Sequence, residues 1–471
     1  MKISIIGMGY VGIPVAALLA DVPGFDVTGI QRRSKRSGWK IDVLNAGKSP
    51  FDGNEPGLDE LLHRVVEKGT FRVTDDYSVI SQMDTLLIDV QTPTDGPDHQ
   101  PSYLSLKEVC KEIGFRMRKG VLIITESTVA PGTTENVIQP ILERRSGMKA
   151  GKDFSLAYSY ERVMPGKLLD YIINLPRIVG GVDKESEKKA YELYRTIVKK
   201  EILMTDVLTA ETSKVMENTY RDVNIAFANE MALICESLGI DVFEVRRLIN
   251  SRNERYMHIP GSGVGGHCLP KDTWLLRYGL RQYGKNHMET EFINLARKVN
   301  NYMPTHMAKL VEAALKEEGR ILQDSRIAVL GVAYLEDSDD TRNTPAEQFI
   351  RDLEAKGAEV VAHDPYVREF PEVELTKDLD VALRGSDCMA ILTKHKTYFD
   401  IDLGQAHEIM RTPIIVDGRN VIDQVTADKA GFIYKGIGKG VRENLHPIPL
   451  SNTPLRVLNP STFGKERWGG I

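Results

Sequence analysis

The sequence predicts an α/β protein in which two parallel-sheet units are joined by a mostly helical centre. Three observations carry this expectation. Residues 2–7, Lys-Ile-Ser-Ile-Ile-Gly, read as a short buried strand feeding a glycine turn and an apolar helix through Ala20. A second strand, Ser325 to Leu330, opens a similar unit near residue 319 and is followed by Gly331, as the first is by Gly7. Between them the pattern changes to long helices, Leu208 to about Leu238 and 291–318. At 471 residues the chain exceeds what one core supports, and the expected division is 1–205, 206–318, 319–445 and a loosely ordered tail, 446–471.

The first unit carries Gly7-Met8-Gly9-Tyr10-Val11-Gly12 between strand and helix, the dinucleotide fingerprint in its required setting. Both sheet units are therefore expected to be Rossmann-like. Gly7 permits the tight turn, Gly9 opens space for a pyrophosphate, and Gly12 lets the helix pack on the sheet, with phosphates over its N-terminus. The strand Asp26 to Ile30 should end on an acidic residue that holds the adenosine ribose. Gln31 stands there instead, followed by Arg32, Arg33, Ser34, Lys35 and Arg36. Two readings stay open: NAD with a solvated basic loop, or NADP with the arginines meeting its 2′-phosphate.

Further strands are expected at Leu86 to Val90, Val121 to Thr125, Leu156 to Ser159 and Glu201 to Met204. The loops holding Thr92 and Thr128 follow two of these at their carboxyl ends, where open α/β sheets bind ligands. Either loop also reads as an ordinary helix cap. In the later unit, strands are expected at Val360 to Ala362, Cys388 to Leu392 and Ile414 to Val416, after a helix ending near Lys356.

The 61 basic and 66 acidic residues are well mixed, with no basic stripe that would point to nucleic acid. Cysteines 110, 235, 268 and 388 form no CxxC pair and read as reduced thiols of a cytoplasmic protein. No apolar run reaches the ~18 residues that span a bilayer, and the opening strand leaves no room for a signal peptide. A metal site is not expected, because His267 beside Cys268 has no companion ligands at metal spacing.

The chemistry-bearing stretch is Gly261-Ser262-Gly263-Val264-Gly265-Gly266-His267-Cys268-Leu269-Pro270-Lys271-Asp272. Its glycines allow a tight bend and close approach to the main chain. Cys268 between a lysine and an aspartate suggests covalent chemistry on a carbonyl; the bland alternative is a structural turn with a buried cysteine. On the long helix, Lys214 and Asn218 are four apart and share a face that Arg221 continues, either a pocket wall or a solvated stripe.

These residues, with Leu44-Asn45-Ala46-Gly47-Lys48-Ser49-Pro50, Ser127-Thr128-Val129-Ala130-Pro131-Gly132-Thr133, Glu211-Thr212-Ser213-Lys214-Val215-Met216-Glu217-Asn218, Asn229-Glu230, Asp340-Thr341-Arg342-Asn343-Thr344-Pro345 and Asp417-Gly418-Arg419-Asn420, give a specific resemblance over roughly residues 1 to 440. The chain resembles the nucleotide-sugar dehydrogenases, which oxidise UDP-glucose, GDP-mannose or UDP-N-acetylhexosamines to uronic acids. The resemblance implies a four-electron oxidation with two NAD per sugar and a thiohemiacetal and thioester on Cys268. It implies Lys214 as the oxyanion-stabilising ammonium, Asp272 in proton transfer, Glu161 as base for hydrolysis, and Thr128 and Asn218 as holders of the reacting oxygen or water.

It further implies a cofactor site of Gly7, Gly9, Tyr10, Val11, Gly12, Gln31, Arg32, Thr92, Thr128 and Arg342. Substrate contacts are implied for Glu161, Arg162, Val163, Lys214, Asn218, Gly263, Gly265, His267, Lys271, Tyr334 and Arg419. Arg252 would cross into a neighbouring subunit's pocket, and a homodimer or higher homo-oligomer is expected, built on the central helix. Tyr160 and Gln31 depart from the family pattern, which commonly has a proline and an acidic residue there. Gly266-His267-Cys268 looks like the N-acetylhexosamine branch, whereas Pro270-Lys271-Asp272-Thr273 looks like the UDP-glucose branch. The expected substrate is UDP-N-acetylmannosamine or UDP-N-acetylglucosamine, against UDP-glucose, a simple two-electron dehydrogenase and a non-catalytic nucleotide-sugar binder.

Overall fold

The computed structural model describes residues 1–440 apart from Arg36, Asp52, Asn54, Pro97, Asp98 and His287. The expected tail and the end of the last unit lie outside the described residues. Eight strands form the first sheet in the order Ile202–Asp206, Arg177–Gly181, Ser155–Tyr158, Leu122–Thr125, Thr85–Ile88, Lys2–Ile6, Asp26–Ile30 and Phe71–Thr74. Neighbours are parallel except Ser155–Tyr158 against Arg177–Gly181. Helices cover both faces, so the central strands are mostly apolar and, Lys2 apart, buried. Lys2–Ile6 lies between Asp26–Ile30 and Thr85–Ile88, with Ile6 opposite both Ile30 and Ile88. Strand order reverses about that strand, which opens a crevice above its carboxyl end at Gly7.

The second sheet is wholly parallel, in the order Glu374–Thr376, Glu359–His363, Arg326–Leu330, Cys388–Ile391, Ile414–Asp417 and Ile433–Gly436. The four expected strands are present. Two further strands, Glu374–Thr376 and Ile433–Gly436, lie at the edges, as Phe71–Thr74 does in the first sheet, and none of the three is an unbroken apolar run. Arg177–Gly181 was hidden by its glycines. A Cβ on Gly180 would sit 2.5 Å from the carbonyl of Asp206 and 2.7 Å from Ala210, because the long helix begins directly against that strand.

That helix, Val207–Leu238, starts where Asp206 accepts a hydrogen bond from the Thr209 amide at 2.9 Å. It stops at Gly239, whose φ of 68° suits glycine. Its first turn joins the core of the first sheet through Val207 and Ala210. Its last turns join the core of the second sheet through Ala228, Ala232 and Cys235. One helix therefore fixes the two sheets on either side of the site, and Glu291–Glu317 packs along it.

Behind the crevice, Glu126 and Arg177 form a buried ion pair. The Tyr194 hydroxyl donates to Glu126 at 2.8 Å, and the guanidinium lies 3.7 Å from the Tyr194 ring centre. Arg177→Ala strands the Glu126 carboxylate in the core and is expected to cost about 3–5 kcal/mol. Denaturant unfolding checks this: a midpoint unchanged from the parent would mean the pair contributes nothing.

Candidate active site

Cys268 immediately precedes a helix, Leu269–Tyr283, that the sequence pattern did not reveal. Pro270, read as stiffening a turn, instead occupies the first helical turn, where its missing N–H costs nothing. The amides of Lys271 and Asp272 bond back to the Cys268 carbonyl at 3.0 and 2.9 Å, so cysteine, lysine and aspartate form one turn. The preceding glycines are set by the second sheet. A Cβ at Gly265 would lie 2.5 Å from Tyr334, and one at Gly266 2.8 Å from the Tyr334 ring. Gly263 and Gly266 also adopt φ of 132° and 90°, open to glycine alone. The Gly266 amide donates to the Arg342 carbonyl at 2.9 Å, and Asn343 Nδ2 to the Gly266 carbonyl at 3.1 Å. The close approach expected of a ligand is in part made by the protein itself.

Within electrostatic reach of Cys268, Lys214 Nζ donates to the Glu161 carbonyl at 2.8 Å and lies 3.4 Å from its Oε1. One helical turn along, Asn218 Nδ2 donates to Asp272 Oδ2 at 2.6 Å. The shared face of Lys214 and Asn218 packs against Glu161 and Asp272, whereas Arg221, expected to continue it, is exposed. Asp272 is fully buried; its Oδ1 lies 3.3 Å from Lys271 Nζ yet has no hydrogen-bond partner among the described residues. Lys271 Nζ reaches the Thr92 carbonyl at 3.3 Å, and the Thr92 hydroxyl donates to the Thr128 carbonyl at 2.6 Å. Both loops at the strands' carboxyl ends, Thr92 directly and Thr128 through it, are thus tied to the cysteine helix. Tyr160 is buried beneath Lys214, its ring centre 5.3 Å from Nζ, so its departure from proline supplies a cation–π support.

The thiol surface is reachable by solvent, although protein crowds it on most sides. Crowding and the Asp272 charge push the thiol up to about 11, while Lys214 and Lys271 pull it down. Burial opposes the Lys214 charge, but Glu161, Cys268 and Asp272 outweigh it and hold the ammonium protonated. His267 is lowered to about 4 by burial and by Lys271 and Arg342, so it is neutral at pH 7.

At the other end of the crevice, Gly7 has φ of 113° and a Cβ on it would lie 2.0 Å from the Asp89 carbonyl, while a Cβ on Gly12 would lie 2.8 Å from the Asp89 carboxyl. Nothing stands within 4 Å of a Cβ at Gly9, which leaves the clear approach that pyrophosphate needs. Val11 is the residue before the helix Gly12–Ala20. Tyr10 is stacked on Phe51 at 4.3 Å, and the Arg342 guanidinium covers it at 5.8 Å. Arg342, clamped by Asp340 at 2.8 Å, therefore reaches from the loop after the second sheet's strand Arg326–Leu330 to the turn at residues 7–12. Phe51, Asp340 and Asn343 carry no role legible in the sequence, although the last two stand within Asp340-Thr341-Arg342-Asn343-Thr344-Pro345.

Other expected residues are not gathered around Cys268. Arg162 donates to Glu217 and to the Pro176 carbonyl, both at 2.9 Å, and Val163 N donates to Glu161 Oε2 at 2.5 Å. Arg419 lies 3.8 Å from Glu336 beside Gly261. Arg252 is exposed and pairs with Glu254 at 2.9 Å. No cluster of metal-ligating side chains occurs among the described residues, and none of their helices is long and apolar enough to cross a membrane.

Residues 1–198 match the NAD binding domain of the UDP-glucose/GDP-mannose dehydrogenase family, residues 208–302 its central domain and residues 328–424 its UDP binding domain. The chain is 38% identical over 440 residues to the UDP-N-acetyl-D-mannosamine dehydrogenase of Pyrococcus horikoshii, covering 93% of this chain and 100% of that one. It is also similar to the crystal structure of an NDP-N-acetyl-D-galactosaminuronic acid dehydrogenase from Methanosarcina mazei, at 43% identity and TM-score 0.85, covering 93% and 95% of the two chains. A UDP-glucose dehydrogenase structure from Pyrobaculum islandicum gives 27% identity and TM-score 0.80, covering 93% and 97%. These matches, on this site, define an NAD-dependent dehydrogenase of nucleotide sugars. The chain belongs to the UDP-glucose/GDP-mannose dehydrogenase family.

Proposed function

We propose that the enzyme oxidises the C6 hydroxyl of a UDP-linked 2-acetamido sugar to the carboxylate, with Cys268 as a covalent nucleophile. The observation that carries this reading is an exposed cysteine within electrostatic reach of a buried ammonium, on the same helical turn as a buried carboxylate oxygen that has no hydrogen-bond partner among the described residues. The acetylated class is favoured by the Pyrococcus and Methanosarcina relatives, both named for N-acetylated sugars. Of these, UDP-N-acetylmannosamine is the first choice and UDP-N-acetylglucosamine the second.

Gly7, Gly9 and Gly12 would hold the NAD pyrophosphate, and Tyr10 and Arg342 would close over it. When bound, NAD accepts a hydride from C6 in each of two oxidations. Lys214 stabilises the oxygen as the alcohol loses its proton, and Asp272 with Asn218 takes up that proton directly or through water. The Cys268 sulfur then adds to the aldehyde carbon, and its proton ends on the carbonyl oxygen, giving a thiohemiacetal. The second oxidation removes hydride and proton from that centre and leaves a thioester. Water, deprotonated toward Glu161, adds to the thioester; the C–S bond breaks and the thiol is restored. The balance is one alcohol, two NAD and one water to one carboxylate, two NADH and three protons. Initial rates should be highest with the acetylated UDP-sugars. Faster turnover of UDP-glucose would reject the substrate assignment while leaving the chemistry intact.

We also propose a homodimer. The long helix exposes Met216, Tyr220, Phe227 and Ile234, spaced four and seven residues apart on one apolar stripe. Phe227→Glu should shift sedimentation from dimer toward monomer. It should also lower turnover, because Arg252 would no longer reach the neighbouring site. A parent protein that sediments as a monomer would overturn this.

A further inference from the structure

We propose that the adenosine end of the cofactor site contains a 2′-phosphate subsite formed by Lys40, Arg32 and the hydroxyls of Ser34 and Ser37, so that the enzyme takes NADP as well as NAD. The proposal rests on the reading that residues 7–12 bind a nicotinamide dinucleotide.

The carboxylate that normally receives the ribose hydroxyls, and that repels a 2′-phosphate, is absent from the end of Asp26–Ile30. Its replacement does not imitate it. Gln31 Oε1 accepts from the Met8 amide at 3.2 Å, while Nε2 donates to the Ser37 hydroxyl at 3.1 Å and the Arg32 carbonyl at 3.2 Å. The amide is spent on fastening the fingerprint turn to the loop that follows the strand. That loop folds back on itself: the Gly38 amide donates to the Ser34 carbonyl at 2.8 Å, and the Ser34 and Ser37 hydroxyls lie 2.9 Å apart.

Lys40 supplies a second, independent observation. Its ammonium donates to the carbonyl of Met8 at 3.3 Å, the residue whose amide Gln31 holds, so Lys40 and Gln31 meet at the same turn. Among the described residues no carboxylate pairs with Lys40, and burial alone disfavours its charge. The carboxylates that reach this loop serve other residues: Asp75 lies 3.0 Å from Arg33, and Glu108 is 3.9 Å from the exposed Arg32. A half-buried ammonium without a counter-charge among the described residues, two hydroxyls and an exposed guanidinium held only at 3.9 Å by Glu108 are the donors that a phosphate monoester uses.

Fluorescence titration of the full-length enzyme with NADH and NADPH, at fixed ionic strength, tests this without turnover. NADPH is expected to bind within about tenfold of NADH, and Lys40→Met to weaken NADPH at least about tenfold more than NADH. Gln31→Asp, which restores a carboxylate, should also weaken NADPH selectively. NADPH that fails to bind where NADH saturates would overturn the subsite. Equal weakening of both cofactors by Lys40→Met would overturn it too. If neither cofactor binds, the dinucleotide reading fails first and takes the subsite with it.

Discussion

Cys268→Ala will still bind UDP-sugar and NAD but will form carboxylate from the UDP-sugar at a rate lower by roughly 10⁴-fold or more. The side chain makes no hydrogen bond among the described residues and the residue is exposed, so truncation orphans no partner. Its thermal midpoint should therefore match the parent. The loss concentrates in kcat, because the thiol acts only once the alcohol has become an aldehyde. A simple two-electron dehydrogenase of the same fold would keep its turnover in this variant, and a nucleotide-sugar binder would show none even in the parent.

Lys214→Met should lower kcat by about 10²–10³-fold, the usual effect of removing one preorganised oxyanion donor. It has a second, independent readout in the free enzyme. The Cys268 thiol is held up at about 11, so below that pH the thiolate fraction, and with it the alkylation rate, falls about tenfold per pH unit. Lys214 is one of the charges that lower this value, so its removal should move the alkylation profile to higher pH. Asp272 acts in the opposite sense, and Asp272→Asn should move the profile to lower pH while also reducing kcat. Profiles that shift together, or not at all, would mean that neither charge reaches the sulfur.

What was legible in the sequence follows from how local the signal is. The fingerprint turn needs glycines at fixed spacing after a strand, and Gly7 and Gly12 do meet backbone and carboxyl that exclude a side chain. The helix Val207–Leu238 was readable with its glycine stop, and so was the shared face of Lys214 and Asn218. The helix after Cys268 was not, because Gly-rich residues run into it and proline reads as a breaker unless the helix start is already known. Edge strands such as Glu374–Thr376 carry too few apolar residues to stand out. The grip of Tyr334 and Asn343 on the glycine loop joins positions ~70 residues apart, and no periodicity encodes such a contact. The Gln31 substitution was visible at once, but its engagement with Met8 and Ser37 needed coordinates.

The most direct test of the central claim is the amount of reduced cofactor formed per UDP-sugar consumed at completion, with the product identified at C6. Two per sugar, ending in a carboxylate, is the result expected if Cys268 captures the aldehyde and carries it through a thioester. One per sugar, ending in a free aldehyde or ketone, would contradict it and leave Cys268 without the role given to it here.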